Sequence, residues 1–330
     1  MVIFWKLLRS KLSILCNCDS ILISNISFRL TKLVSKRCRE PLLFIDPIYR
    51  FTRMFYRERK HRKTLSFYSD LILKERRELV GPVNNNNNTS ESTSSKFIDE
   101  EMGETQNRGK MIIDQLICHE HKFTDDEIRD HVYSVVAAGY ETSSLLTAYT
   151  VLLLAMHPTV QDRVYDEIKL MNKSDENGID NESLQRLSYL DMVVKETMRL
   201  FPVTPIIGRK THEEMDLNEL KFPKDVTLVI SIFSLHRRKD IWGENAEHFN
   251  PDHFLPENIA KRHPYSYIPF SSGSRNCIGN NYAMLAIKIM LVKLLRAFKV
   301  TTNLKYEDIK FKSDITLKIC TDHLVFIQKR

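Results

Sequence analysis

Between Asp125 and Met156, the residues Ile128, Val132, Val135, Gly139, Thr142, Leu146, Tyr149 and Leu153 recur at steps of four and three. That spacing predicts an amphipathic helix with one buried stripe. Thr124-Asp-Asp-Glu127 supplies a capping box with acid in the first turn, and Pro158 marks the far end. Such a helix runs about 48 Å at 1.5 Å per residue, enough to cross a domain. Shorter helices are predicted from about Thr159 to Met171 and Tyr189 to Leu200, and a last one from near Asn280 to about Phe298. Upstream, residues 21–80 read as two basic amphipathic helices flanking "REPLLFIDPIYRF" (Arg39 to Phe51), whose two prolines separate them. Beyond Pro202 the period drops to two. "TLVISIFSLH" predicts a strand, and "ITLKI" with "HLVFIQ" a terminal hairpin. The fold class is therefore mainly α with a small β portion.

Composition adds limits. "NNNNNTSESTSS" (Asn84 to Ser95) is too polar to bury a core, which predicts a surface loop over about residues 83–110. The chain of 330 residues has 42% apolar residues, enough for a sizeable core, in either two domains or one large fold. A net charge of +7 fits an acidic partner protein or an anionic membrane surface. No nucleic-acid reading motif is present, so nucleic acid is not expected as a partner. The block "RERKHRK" (Arg57 to Lys63) reads as a solvated helix face. Cys16, Cys18, Cys38, Cys118, Cys277 and Cys320 are too scattered for a secreted disulfide framework, which favours a reducing compartment. "CHEH" (Cys118 to His121) is either a metal site or a polar turn between helices. "MVIFWKLL" is interrupted by Lys6, Arg9 and Lys11 before a membrane span is reached, so no transmembrane anchor and no cleaved leader are expected in this chain.

Three motifs carry candidate chemistry. Gly139 weakens a helix interior by about 1 kcal/mol against alanine, and Glu141 and Thr142 follow it. An acid and an alcohol beside a weak point can open a groove and supply a proton path, or the trio can be plain packing. Glu196 and Arg199, three apart among apolar neighbours, form either a surface contact or a buried bidentate pair. The third motif is "PFSSGSRNCIGNNYA" (Pro269 to Ala283), in which Phe270, Gly273, Arg275 and Gly279 surround Cys277 ahead of a helix. Helix-terminal amides stabilise a thiolate, glycines let backbone approach it, and Arg275 can pair with an anionic group on whatever sits against the sulfur. A buried free thiol in a tight turn is the alternative.

These motifs, in the order "AGYETS" (Ala138 to Ser143), Glu196/Arg199, "FNPDHF" (Phe249 to Phe254) and the cysteine loop, resemble the haem-thiolate monooxygenases of the cytochrome P450 superfamily. "REPLLFIDPIYRFTRMFYRER" is similar to animal microsomal members near the fatty-acid omega-hydroxylase branch. The resemblance covers about Ile21 to Arg330, the carboxyl two-thirds of the family fold, leaving residues 1–20 unassigned and outside it. It implies a thiolate-ligated haem (iron protoporphyrin IX) with Cys277 as axial ligand and Phe270 packed beside the sulfur. Arg275 and Arg209 would bind propionates, and Gly273 and Gly279 would shape the loop. Glu141 and Thr142 would be the acid–alcohol pair for oxygen activation. Val203 to Ile207 and the turn near Thr316 would line the pocket for a small apolar substrate. Glu196 and Arg199 would hold the proximal core with His253, where the family usually has an arginine. Ala138 stands where many omega-hydroxylases carry a haem-esterified glutamate, so no such bond is expected. The family's amino-terminal anchor, early helices and propionate-binding tryptophan–arginine pair have no counterpart; "WKLLR" (Trp5 to Arg9) imitates that pair by coincidence.

The implied function is insertion of one atom of O2 into an apolar substrate, with electrons from an NADPH-dependent reductase, at the cytosolic face of the endoplasmic reticulum membrane. The competing reading is a truncated, non-catalytic remnant or incomplete gene model that binds haem weakly or not at all.

Overall fold

The computed structural model describes residues 18–80, 112–118, 123–171, 179–217, 220–321 and 325–330. "WKLLR", the asparagine run, the rest of the 83–110 loop and His119 to His121 lie outside them. The chain divides into two compact units, and the division falls inside one helix, between Ala138 and Gly139.

The first unit is helical. Helix α1 (Cys18–Arg39) is followed by a 3-10 turn (Pro41–Phe44), α2 (Asp46–Arg50), α3 (Arg53–Val80), α4 (Ile112–Cys118) and the start of α5 (Asp125–Met156). Pro41 and Pro47 each sit in the first turn of a helical segment, where a missing N–H costs nothing. Two small cores form: Leu73, Ile113, Ile117 and Ile128 pack with Phe123 and Val132, while Ile26, Leu30 and Leu65 pack with Tyr133. Arg76 clamps Asp114 through two bonds of 3.0 and 2.7 Å, joining α3 to α4. The capping box forms as the sequence predicts, with Thr124 N–H donating to Glu127 at 2.8 Å and Glu127 N–H to Thr124 Oγ1 at 3.3 Å.

The second unit contains the remainder of α5, then α6 (Pro158–Lys169), α7 (Asn181–Gln185), α8 (Ser188–Leu200), α9 (Ile232–Leu235), α10 (Lys239–Trp242), α11 (Pro256–Ala260) and α12 (Asn280–Ala297). Among the described residues, eight short strands pair antiparallel in twos: β1 (Ile206–Lys210) with β4 (Thr227–Ser231), β2 (Met215–Leu217) with β3 (Leu220–Phe222), β5 (Phe298–Thr301) with β8 (Phe326–Lys329), and β6 (Phe311–Asp314) with β7 (Thr316–Ile319). Leu152, Leu153, Val164, Leu190, Val193, Val194, Leu291 and Val292 have no solvent contact, so the core lies among α5, α6, α8 and α12. Gln161 fastens α6 to β5: its side chain bonds both the carbonyl (2.7 Å) and the amide (2.9 Å) of Val300.

Three expectations are corrected. The strand through "TLVISIFSLH" stops at Ser231, whose side chain accepts from Ser234 N–H and starts α9 instead. The terminal hairpin does not form. Ile315, in the left-handed region at φ 68°, folds β7 back onto β6, while the last strand pairs with β5. The stripe on α5 is not buried along its length, for Val135 is 45% exposed and a Cβ on Gly139 would meet nothing within 4 Å. The helix nevertheless runs unbroken through Gly139.

Candidate functional site

Cys277 sits in a loop folded on itself. Ser271 and Gly273 both take positive φ, 63° and 80°, which turns the backbone sharply; only at the glycine is that conformation free of a Cβ penalty. Asn276 N–H then donates to Gly273 C=O at 3.1 Å, and Cys277 N–H to Phe270 C=O at 2.9 Å, so Phe270 and Cys277 face each other across the loop. Gly279 caps α12, and a Cβ there would lie 4.0 Å from the Cys277 sulfur. The thiol is therefore exposed one turn ahead of the amide-rich end of an eighteen-residue helix. Its neighbour Ile278 is 98% exposed, and Tyr282 and Leu285 on the same helix are exposed as well. Isolated exposed apolar side chains are ordinary; here an exposed thiol, isoleucine and tyrosine lie within six residues of one another around a helix start. Arg209, next to the last residue of β1, donates to Ser271 Oγ at 2.7 Å, fastening that strand to the loop, and Arg275 is exposed within the loop itself.

Behind the loop lies a buried polar network. Glu196 and Arg199 have no exposed side-chain surface and pair through two 2.7 Å bonds. Arg199 also donates to the carbonyls of His236 (2.9 Å), Ala246 (2.5 Å) and His248 (3.0 Å), while Glu196 accepts from Asn250 N–H at 2.8 Å and stands 3.2 Å from His253 Nδ1. All five N–H groups of the Arg199 guanidinium and both oxygens of Glu196 thus find partners, which a buried ion pair requires. His236, with no solvent contact, accepts from Ile268 N–H at 3.0 Å, two residues before Phe270. Burial, then the Arg199 guanidinium, pushes its pKa down to about 3, so the ring is neutral. The chain of bonds runs from Arg199 through His236 to the root of the cysteine loop.

Sequence reasoning missed His236, Trp242 and Arg262. Trp242 lies under both Arg199 (4.9 Å) and Arg262 (4.2 Å), and Arg262 donates to the carbonyl of His253 at 2.6 Å. The signal available was "SLHRRKDIW", a histidine and a tryptophan in an otherwise charged stretch.

Glu141 and Thr142 are half-buried on α5. The carboxylate of Glu141 is held from the carboxyl-terminal strands: Thr316 Oγ1 donates to its Oε1 at 3.0 Å, and Lys318 Nζ stands 2.9 Å away. Nothing in the spacing along the sequence pointed to Lys318. Val203 C=O accepts from Leu317 N–H at 2.8 Å, so the segment before β1 and the strand β7 adjoin. Among the described residues no group of three metal-ligating side chains occurs. A lone thiolate is, by contrast, one of the protein ligands that can hold a haem iron, and the exposed Cys277 thiol on its glycine-flanked loop fits that group.

Comparison with known proteins gives a consistent picture. The family model for Cytochrome P450 matches residues 11–324. Similar proteins include probable cytochrome P450 313a4 of Drosophila melanogaster, 41% identical over 63% of this chain and 42% of its own length. Probable cytochrome P450 4p2 of the same fly is 34% identical over 86% of this chain and 54% of its own, and cytochrome P450 4c21 of Blattella germanica is 31% identical over 87% and 56%. The chain spans about half the length of the curated relatives it matches. A crystal structure of a cytochrome P450 (CYP102L1) superposes with a TM-score of 0.66 at 23% identity, covering 86% of this chain and 59% of that one.

Proposed function

Since the chain belongs to the cytochrome P450 family, for which a thiolate-ligated haem is the implied cofactor, we propose that Cys277 would hold the haem iron through its thiolate and that the whole protein is a monooxygenase. It inserts one atom of O2 into a small apolar substrate, taking electrons from an NADPH-dependent reductase. When bound, the haem supplies the O2 chemistry, which electron donation from a thiolate favours. This chain's residues do the rest. Phe270 packs beside the sulfur, Gly273 and Gly279 keep side chains out of the way, and Arg209 and Arg275 bind the propionates. Glu196, Arg199 and His253 hold the loop's support rigid. Thr142 and Glu141, on α5 beyond Gly139, are the acid–alcohol pair for oxygen activation, and Val203 to Ile207 with the turn near Thr316 contact the substrate.

The observation that carries the reading is the exposed Cys277 thiol on a folded-back loop, with the 98%-exposed Ile278 beside it. Reduced protein treated with carbon monoxide is expected to give the red-shifted Soret band of thiolate ligation. Cys277→Ala removes it, and Cys38→Ala and Cys320→Ala keep it. A parent spectrum that matches that of Cys277→Ala sinks the assignment.

A membrane surface belongs to the same proposal, at the cytosolic face of the endoplasmic reticulum. No single helix among the described residues is long and apolar enough to cross a membrane. Leu42, Phe44, Ile45, Ile48 and Phe51 are nevertheless exposed, in a stretch that also carries Arg39, Arg50, Arg53 and Arg57. Exposed apolar side chains in a stretch where arginines outnumber the acids Glu40 and Asp46 suit an anionic lipid surface, where the rings enter the headgroup region and the guanidiniums meet phosphate.

A further inference from the structure

Ile315 is a β-branched residue at φ 68°, a conformation that L side chains with a branched Cβ rarely adopt, and it is 47% exposed at the tip between β6 and β7. A strained residue persists only where its surroundings over-determine it. Here they do, on the β7 side. Thr316 Oγ1 donates to Glu141, Lys318 Nζ lies 2.9 Å from the same carboxylate oxygen, and between them Leu317 is held by both its backbone groups. Its carbonyl accepts from the buried Tyr149 hydroxyl at 2.5 Å and its amide donates to Val203 at 2.8 Å. On the β6 side, Asp314 is buried and paired with Lys312 at 3.0 Å. The side chains of Glu141 and Lys318 are only 14% and 12% exposed, so their attraction is little screened.

We propose that Lys318 is a positioning residue: through Glu141 it clasps β7 to the long helix and so holds Ile315 in its strained conformation, in the turn that the proposed function sets against the substrate. This rests on the haem-pocket reading above, and it assigns to Glu141 a mechanical task besides any proton it carries. A ligand long enough to press on Ile315 feels the clasp; one confined to the iron does not.

The test uses two probes that bind iron through the same azole nitrogen, imidazole and 1-dodecylimidazole, followed by the Soret shift. Lys318→Met is expected to weaken 1-dodecylimidazole about tenfold while imidazole stays within twofold, and Lys318→Arg to restore the parent affinity. Equal changes for both probes, or none for either, overturn the proposal. Absence of any azole spectrum in the parent chain is instead a failure of the haem reading, and a second measurement then decides the clasp. In thermal unfolding of the haem-free chain, Ile315→Gly relieves strain, so its gain in Tm in the parent background should shrink by half or more in Lys318→Met. Glu141→Gln, which keeps the shape and the bond from Thr316, serves in place of Lys318→Met if that variant does not fold. A glycine gain that is the same with and without the clasp refutes it.

Discussion

His236 shows how one buried ring sets a pH response. Its neutral state is enforced by burial, with Arg199 adding to the effect, which moves its pKa from 6.5 to about 3. Between those values the unfolded chain binds a proton that the folded chain excludes, so stability falls as pH drops through that window. One such group contributes about 1.4 kcal/mol per pH unit. His157 and His61 are lowered as well, burial being the main cause in both, and add to the slope. Urea unfolding at pH 6 and pH 5 is therefore expected to show a slope shallower by about 1.4 kcal/mol per unit in His236→Gln; an unchanged slope would mean that the ring does not exclude its proton. At this scale the sequence was half legible. Glu196 and Arg199 stand out by spacing, but the carbonyls that receive Arg199 come from residues 37 to 49 positions away. No local pattern records such partners.

Among elements, the helices were readable because their determinants are local. Thr124, Glu127 and Pro158 fix α5, and Gly279 caps α12. The strands were not, because a pairing partner is a distant property. Phe298 lies opposite Lys329, and no feature of "HLVFIQ" separates that partner from its near neighbour "ITLKI". Gln161 is what makes the distant pairing hold. Its side chain, with no solvent contact, satisfies both backbone groups of Val300 and the carbonyl of Leu154. Gln161→Leu keeps the volume roughly and leaves those groups without partners in an apolar place. The expected loss is at least about 3 kcal/mol, at 1–3 kcal/mol for each of the three orphaned groups. Equilibrium urea unfolding measures it, with the Val300 amide becoming fast in hydrogen exchange. A change under about 0.5 kcal/mol would mean that water or a backbone shift replaces the bonds.

For the whole molecule, the exposed apolar stretch around Phe44 and Phe51 predicts how the protein partitions. Sedimentation with phosphatidylserine-containing vesicles should exceed that with neutral phosphatidylcholine and weaken with added salt. Phe44→Glu with Phe51→Glu should lower it at least about tenfold, since each buried phenylalanine contributes about 1.5–3 kcal/mol. Equal binding by that double variant would remove the lipid assignment. The bond from Tyr149 to Leu317 has a consequence of a different kind, because its partners are 168 residues apart in the chain. A ribosome adds roughly 5–20 residues per second, so Tyr149 is made roughly 10–30 s before the carbonyl that receives its hydroxyl. During that interval the carboxyl half of α5 has a core face with no lid and Glu141 has no lysine. For the nascent chain, the strands that close this interior are made long after the helix they cover, which makes the intervening time the period when chaperones matter most.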